Sequence, residues 1–247
     1  MATTEEHNHS PLSQFEIHSI IDLKPGGFNI SFTNSSFAMV ATVVLIALFL
    51  TLTVKKRSLV PSRLQLISES IYSFISQLLQ DTVGDDGRKY FPFVFSIFMF
   101  VLIGNMLGMI PYSFTFTSHI IVTFALAAVI FIGVTVIALI KHKMHFFTFF
   151  VIPGLPIYML PLLIPIEIIS YLSRPISLSV RLFANMLAGH TLLKVFAGFV
   201  VSLGFAGVLP LAFIVALTGL EILIAFLQAY VFAILTCLYI NDALHLH

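Results

Sequence analysis

Long apolar runs, closed by short polar or basic clusters, set the rhythm of this chain. The first, Phe37 to Val54, is uncharged and long enough for a bilayer crossing. It ends at Lys55-Lys56-Arg57, with Arg63 close behind. Positive flanks mark the cytoplasmic side, which places residues 1–35 outside. From Pro61 to Thr82 the pattern changes: Leu64, Ile67, Ile71, Phe74, Ile75 and Leu78 recur at helical spacing, with Ser, Gln, Glu69 and Asp81 on the other face. That periodicity predicts an amphipathic helix on the cytoplasmic membrane surface or against another subunit, with Pro61 at its start. Gly84-Asp85-Asp86-Gly87-Arg88-Lys89 follows as a polar turn. Two further spans, Phe91 to Ile110 and His119 to Ile140, carry no Asp, Glu, Lys or Arg, and Lys141-His142-Lys143 returns the chain to the positive side.

Prolines punctuate the next stretch. Pro153, Pro156, Pro161 and Pro165 predict a bent, re-entrant passage from Phe146 onward rather than a straight crossing. Two apolar helical tracts follow, over roughly 160–200 and 204–240, each longer than the ~20 residues an upright span needs. Both are read as strongly tilted or lying along the membrane plane. Within the first, Glu167, Arg174 and Arg181 recur at intervals of seven, with Asn185 one turn beyond. Seven residues make about two turns with a drift of only ~20°, so the charged groups share one stripe. His190, nine residues past Arg181, faces about 180° away on a straight helix. In the second tract Glu221 and Gln228 are seven apart and Tyr239 eleven further on, which makes a second polar stripe.

Composition narrows the class. Hydrophobic residues make up 59% of the chain and charged residues 9%, too few charges to cover a soluble surface. The chain is therefore read as a polytopic membrane protein without a soluble domain, long linker or internal repeat. The twelve Lys and Arg residues are scattered and leave no basic patch for a nucleic acid. The N-terminal segment lacks a basic stretch followed by a short apolar core, so it is not read as a cleavable signal peptide. Cys237 stands alone in an apolar run and is read as a small packing residue. His7, His9 and His18 are read as solvated tail residues rather than metal ligands, and no metal or cofactor is expected.

No nucleophile with a His–carboxylate partner, phosphate loop or zinc spacing is visible. What remains is a set of ionisable groups inside apolar helices: Glu167, Arg174, Arg181, His190 and Glu221. An arginine at membrane depth costs roughly 2.5–3.5 kcal/mol on insertion scales, so it is placed against a counter-charge or an aqueous path. Such groups point to an ion path or proton relay; the alternative is a buried ion pair that fixes helix register. His190 titrates in a range suited to proton transfer, and Glu221 on the neighbouring helix is its natural partner. Asn105, mid-span, serves either a helix–helix hydrogen bond or an aqueous path. Arg174, Asn105 and Tyr239 are the further polar groups placed to line such a path. A self-contained secondary transporter is a rival, though the paired inverted repeats common in such folds are not evident. A purely structural scaffold is another.

The segments SPLSQFEI (10–17), SFTNSS (31–36), IGNMLGMIPYSFTFTSH (103–119), SRPISLSVRLFANMLAGH (173–190) and LEILIAFLQAYVF (220–232) carry a resemblance. The chain resembles subunit a of the rotary proton-translocating ATP synthase over nearly its whole length, with the flavour of alphaproteobacterial and mitochondrial members. The resemblance implies a stator subunit that is not an enzyme by itself. It implies that Arg181 faces the carboxylate of a rotating c-ring, with Asn185 and Gln228 as polar neighbours. It further implies that Glu221 and His190 form the pair through which protons come in, and that Glu167 lies near the opposite half-channel. In some bacterial members the histidine sits on the last helix and the carboxylate on the preceding one; here the order is that of mitochondrial-type chains. The implied partners are the c-ring, b-type subunits of a peripheral stalk, other ATP synthase subunits and the lipid bilayer. The implied location is a bacterial inner membrane, with the mitochondrial inner membrane as alternative. The expected fold is all-α: one membrane domain over 1–247 with about five to six hydrophobic helices. These comprise a span at 37–54, the surface helix at 61–82, two spans within 91–140, and long tilted or near-horizontal helices carrying the proton path within 146–240.

Overall fold

A computed structural model of the chain describes residues 17–21, 31–55, 62–110, 113–143 and 159–245. The described residues are almost wholly helical. The helices are α1 (Asn34–Lys55), α2 (Arg63–Val83), α3 (Phe91–Gly108), α4 (Ile120–His142), α5 (Leu160–Ser202) and α6 (Val208–Leu244). A short antiparallel pairing of β1 (Ser19–Ile21) with β2 (Phe32–Thr33) precedes α1; the hydropathy pattern gives no sign of it. Among the described residues, five stretches are long and apolar enough to cross a membrane: Asn34–Thr53, Asp85–Gly108, Ile120–His142, Pro161–Ser202 and Gly204–Leu244. At 43 and 37 residues, α5 and α6 correspond to about 65 and 55 Å of helix, roughly twice the ~30 Å hydrocarbon core.

Polar residues inside these helices are mostly satisfied by their own backbone. Thr42, Thr53, Thr135, Thr191, Thr218 and Thr236 each donate to the carbonyl four residues back. A hydroxyl paired in this way does not lose a hydrogen bond when it leaves water. Such residues need no further partner, and they set the background against which unsatisfied groups stand out.

Several elements differ in detail from what the pattern predicts. The amphipathic helix begins with Ser62 as N-cap, its Oγ accepting from the Gln65 N–H at 3.3 Å; Pro61 lies outside the described residues. Its buried positions are Ile75, Leu79 and Val83, whereas Leu64, Ile67 and Phe74 are exposed. The apolar stripe continues past Leu78 to Leu79 and Val83, so the buried positions lie toward the C-terminal end of α2, and Phe74 stays exposed although its ring touches Phe98 and Tyr230. The expected polar turn at 84–89 is a 3-10 helix, Asp85–Tyr90, running straight into α3. Pro161 and Pro165 lie near the start of α5, which contains Pro165 and Pro175 in its interior. A proline costs little in a first turn, where its missing N–H would be unpaired anyway. His7, His9, Pro153 and Pro156 lie outside the described residues.

The chain falls into two compact units. One gathers Met1–Lys55, Met99–His119 and Leu182–Ala229. Within it the C-terminal part of α3 meets α6 through Asn105, whose Nδ2 donates to the Ala225 carbonyl at 3.4 Å. Phe116, in the 3-10 turn Phe116–Ser118, lies against Phe100 and over Gly104. Gly204, at φ 56° in the turn that joins α5 to α6, takes a backbone conformation that favours glycine.

The other unit gathers Lys56–Phe98, Ile120–Arg181 and Tyr230–His247. Here α2 packs through Tyr72 on Phe91 and through Phe74 on Phe98 and Tyr230. Gly133 admits the Phe93 ring of α3 to the surface of α4. Tyr171 of α5 lies against Phe131 of α4 and hydrogen-bonds Thr135 at 2.7 Å. Cys237 is fully buried, in keeping with a packing role.

Candidate functional site

The first unit holds the strongest departure from the satisfied background. His190 of α5 and Glu221 of α6 approach to 3.4 Å, Nδ1 to Oε1, with side chains only 11% and 5% exposed. At that separation the contact is ionic in range rather than an aligned hydrogen bond. Neither Glu221 oxygen has a hydrogen-bond partner among the described residues. A carboxyl so placed is costly unless it is neutral, paired with a protonated imidazole or reached by water. The approach depends on Gly189: a Cβ there would stand 2.7 Å from Glu221 Oε1.

A second group completes the histidine's surroundings. Thr115, from the connection between α3 and α4, places Oγ1 3.2 Å from His190 Nε2 and donates to the Gly108 carbonyl at 3.1 Å. Its own backbone is held by Ser118, whose hydroxyl and N–H both bond the Thr115 carbonyl. Gly108 carries no side chain where a Cβ would stand 2.8 Å from Thr115 Oγ1. Nearby in sequence, His119 stacks on Phe114 with ring centroids 5.1 Å apart. Burial pushes His119 below the ordinary histidine range.

Other polar groups of this unit are buried with spare bonding capacity. Asn105 spends its amide N–H on Ala225, as a helix–helix hydrogen bond requires, yet its Oδ1 has no partner among the described residues. The same holds for Gln228 Oε1 and for Thr117 Oγ1. Asn185 is partly buried. Buried acceptors of this kind are the groups that ordered water commonly serves.

The second unit holds the arginines. Arg174 Nη1 donates to Asp242 Oδ2 at 2.9 Å, and its guanidinium lies 5.6 Å from the Tyr171 ring centroid and 5.2 Å from that of Tyr239. One cation thus ties α5 to the end of α6, and Tyr239 of the second stripe belongs to that tie. Glu167 is partly buried. Arg181 is exposed and forms no ion pair among the described residues. A guanidinium left open on an apolar helix is an unfinished interaction.

Sequence reasoning selects His190, Glu221, Arg174 and Arg181 by charge, but passes over Thr115, Gly189, Tyr171 and Asp242. Asp242 carries a usable signal, since it lies three residues beyond Tyr239 and so on the same helical face. Thr115 carries only a weak one, the hydroxyl-rich run Thr115–Ser118 between two apolar helices.

Comparison with known proteins gives a consistent answer. The family described as ATP synthase A chain matches residues 36–241. A protein of Pelagibacter ubique named ATP synthase subunit a is 61% identical over 240 residues, covering 96% of this chain and 98% of its own. One of the same name from Mesorhizobium japonicum is 59% identical over 242 residues, covering 95% and 96%. Another from Rhodospirillum rubrum is 55% identical over 240 residues, covering 97% and 100%.

Proposed function

The chain belongs to the ATP synthase A chain family, and on that premise we propose that it is the proton-translocating stator of a rotary ATP synthase. It is a multi-pass membrane protein, and its relatives are named as a subunit of ATP synthase. In the proposed role it performs no bond chemistry itself. It supplies two offset aqueous half-channels to the carboxylates of a c-ring, held in place by b-type stalk subunits in a bacterial inner membrane.

The observation that carries this reading is the buried His190–Glu221 contact, whose carboxylate oxygens are left without hydrogen bonds among the described residues. A histidine and a carboxyl side by side can exchange a proton near neutral pH. Water reaching Glu221 would connect the pair to one side of the membrane, with Asn105 and Gln228 offering further acceptors. Glu167 serves the other half-channel.

Arg181 separates the two. Its guanidinium cannot give up a proton, so it cannot pass protons directly and closes the short circuit between the channels. A ring carboxylate brought near it is favoured in its ionised form and releases its proton to one half-channel. After rotation, reprotonation from the other side lets the site enter lipid as a neutral acid. Each proton carries about 2.3 kcal/mol per 100 mV of membrane potential, plus any pH gradient.

Substitution of Arg181 in the assembled complex tests this. Arg181→Ala is expected to leave assembly intact while abolishing ATP synthesis and ATP-driven proton pumping, and Arg181→Lys is expected to restore neither fully. Normal pumping by Arg181→Ala would contradict the reading.

A further inference from the structure

We propose that Thr115 is a positioning residue that fixes the tautomer of His190, so that Nδ1, facing Glu221, is the nitrogen that takes and returns the proton. The proposal rests on the reading of the His190–Glu221 pair as part of the proton path.

A threonine hydroxyl has a single hydrogen and two lone pairs. Thr115 Oγ1 lies 3.1 Å from the Gly108 carbonyl and 3.2 Å from His190 Nε2. The carbonyl can only accept, so the hydroxyl hydrogen goes to Gly108. Gly108 is the last residue of α3, where carbonyls lack an intrahelical donor, which gives that bond a reason to persist. With its hydrogen committed, Oγ1 can only accept from Nε2, so Nε2 carries the ring hydrogen. In the neutral imidazole Nδ1 is then the bare nitrogen, and it is the atom 3.4 Å from Glu221 Oε1.

The consequences for the proton are definite. When Glu221 is protonated, its Oε1–H hydrogen passes to Nδ1, leaving a carboxylate beside an imidazolium. The reverse step restores the neutral pair, and no other atom changes its complement of hydrogens. The path does not continue through Thr115, because the next atom along that line is a peptide carbonyl, which holds no proton at working pH. Thr115 therefore terminates the line at Nε2 and makes Nδ1 the working position. The opposite tautomer would point an N–H at Glu221 and refuse its proton.

The surroundings support the assignment. Gly108 and Gly189 leave space where a Cβ would press on Thr115 Oγ1 and Glu221 Oε1. Of the groups that face or act on His190, Glu221 comes from α6 and Lys194 acts from one turn further along α5. The α3–α4 connection offers the Thr115 hydroxyl, while His119 of that connection stacks on Phe114.

The test uses the complete reconstituted complex. Solid-state NMR of complex labelled with 13C and 15N in histidine, with His190 identified by its loss in His190→Gln, is expected to show the Nε2–H tautomer for neutral His190. The Nδ1–H tautomer in the unmodified protein would overturn the proposal. In Thr115→Val the tautomer signature is expected to become mixed. ATP-driven pumping is expected to fall roughly fivefold, the weight of one hydrogen bond, with a displaced pH profile; Thr115→Ser restores both. A Thr115→Val complex that keeps both the Nε2–H signature and the unmodified pH profile would also overturn it. Full pumping by His190→Gln would instead sink the parent reading, while the NMR result would still report on the tautomer.

Discussion

At the scale of single residues, Gly189 bears most directly on the candidate site. An alanine there would place Cβ 2.7 Å from Glu221 Oε1 and 3.1 Å from its Cδ. The obstructed atoms are the end of a flexible side chain, so the helix can form and the carboxyl moves instead. Gly189→Ala is therefore expected to assemble normally and to lower ATP-driven proton pumping tenfold to about a hundredfold, the scale set by misplacing a reacting group by ~1 Å. Pumping equal to that of the unmodified complex would show that the close approach of Glu221 has no functional weight. The same residue explains a limit of sequence reading. Glu221 and His190 are legible because charge is rare in an apolar helix and has a cost. Gly189 is not, because either of the two glycines in α5 reads as a packing choice. Thr115 is not, because a threonine in apolar surroundings reads like Thr42, which merely bonds its own helix.

At the scale of elements, a polar tie adds to the apolar packing of the long helices. The Arg174–Asp242 bond, flanked by the Tyr171 and Tyr239 rings, joins the first half of α5 to the last turns of α6. Side-chain exposures of 25% and 39% keep its strength modest, at about 1 kcal/mol for a partly solvated pair with cation–π support. Arg174→Ala and Asp242→Asn are each expected to speed hydrogen exchange over residues 236–244 by roughly fivefold, and the double variant no further. Additive effects in the double variant would mean that the two residues act independently. Element positions were legible because apolar runs have a minimum length for crossing lipid; α1, α3 and α4 lie over such runs, and α5 and α6 over longer ones interrupted by a few charges. What periodicity could not convey was which residues of α2 would find partners. That depended on Phe91, Phe98 and Tyr230 arriving from elsewhere in the chain.

At the scale of the whole molecule, the outer surface is that of a protein meant to be covered. Phe205 and Val201, at the turn between α5 and α6, are almost fully exposed, and many apolar side chains along α1, α5 and α6 are exposed as well. Lipid and neighbouring subunits are the environments in which such a surface is stable. Arg181 departs from that pattern, an exposed permanent charge on an apolar helix without an ion-pair partner among the described residues. The proposed function supplies that partner from another chain, and this is its central claim. A density map of the assembled membrane complex tests it most directly, by identifying what lies within hydrogen-bonding reach of the Arg181 guanidinium. A carboxylate of a rotor subunit is expected there, adjacent directly or through one water, in at least one rotational state. An Arg181 that faces lipid phosphate or a stalk subunit in every state would contradict it.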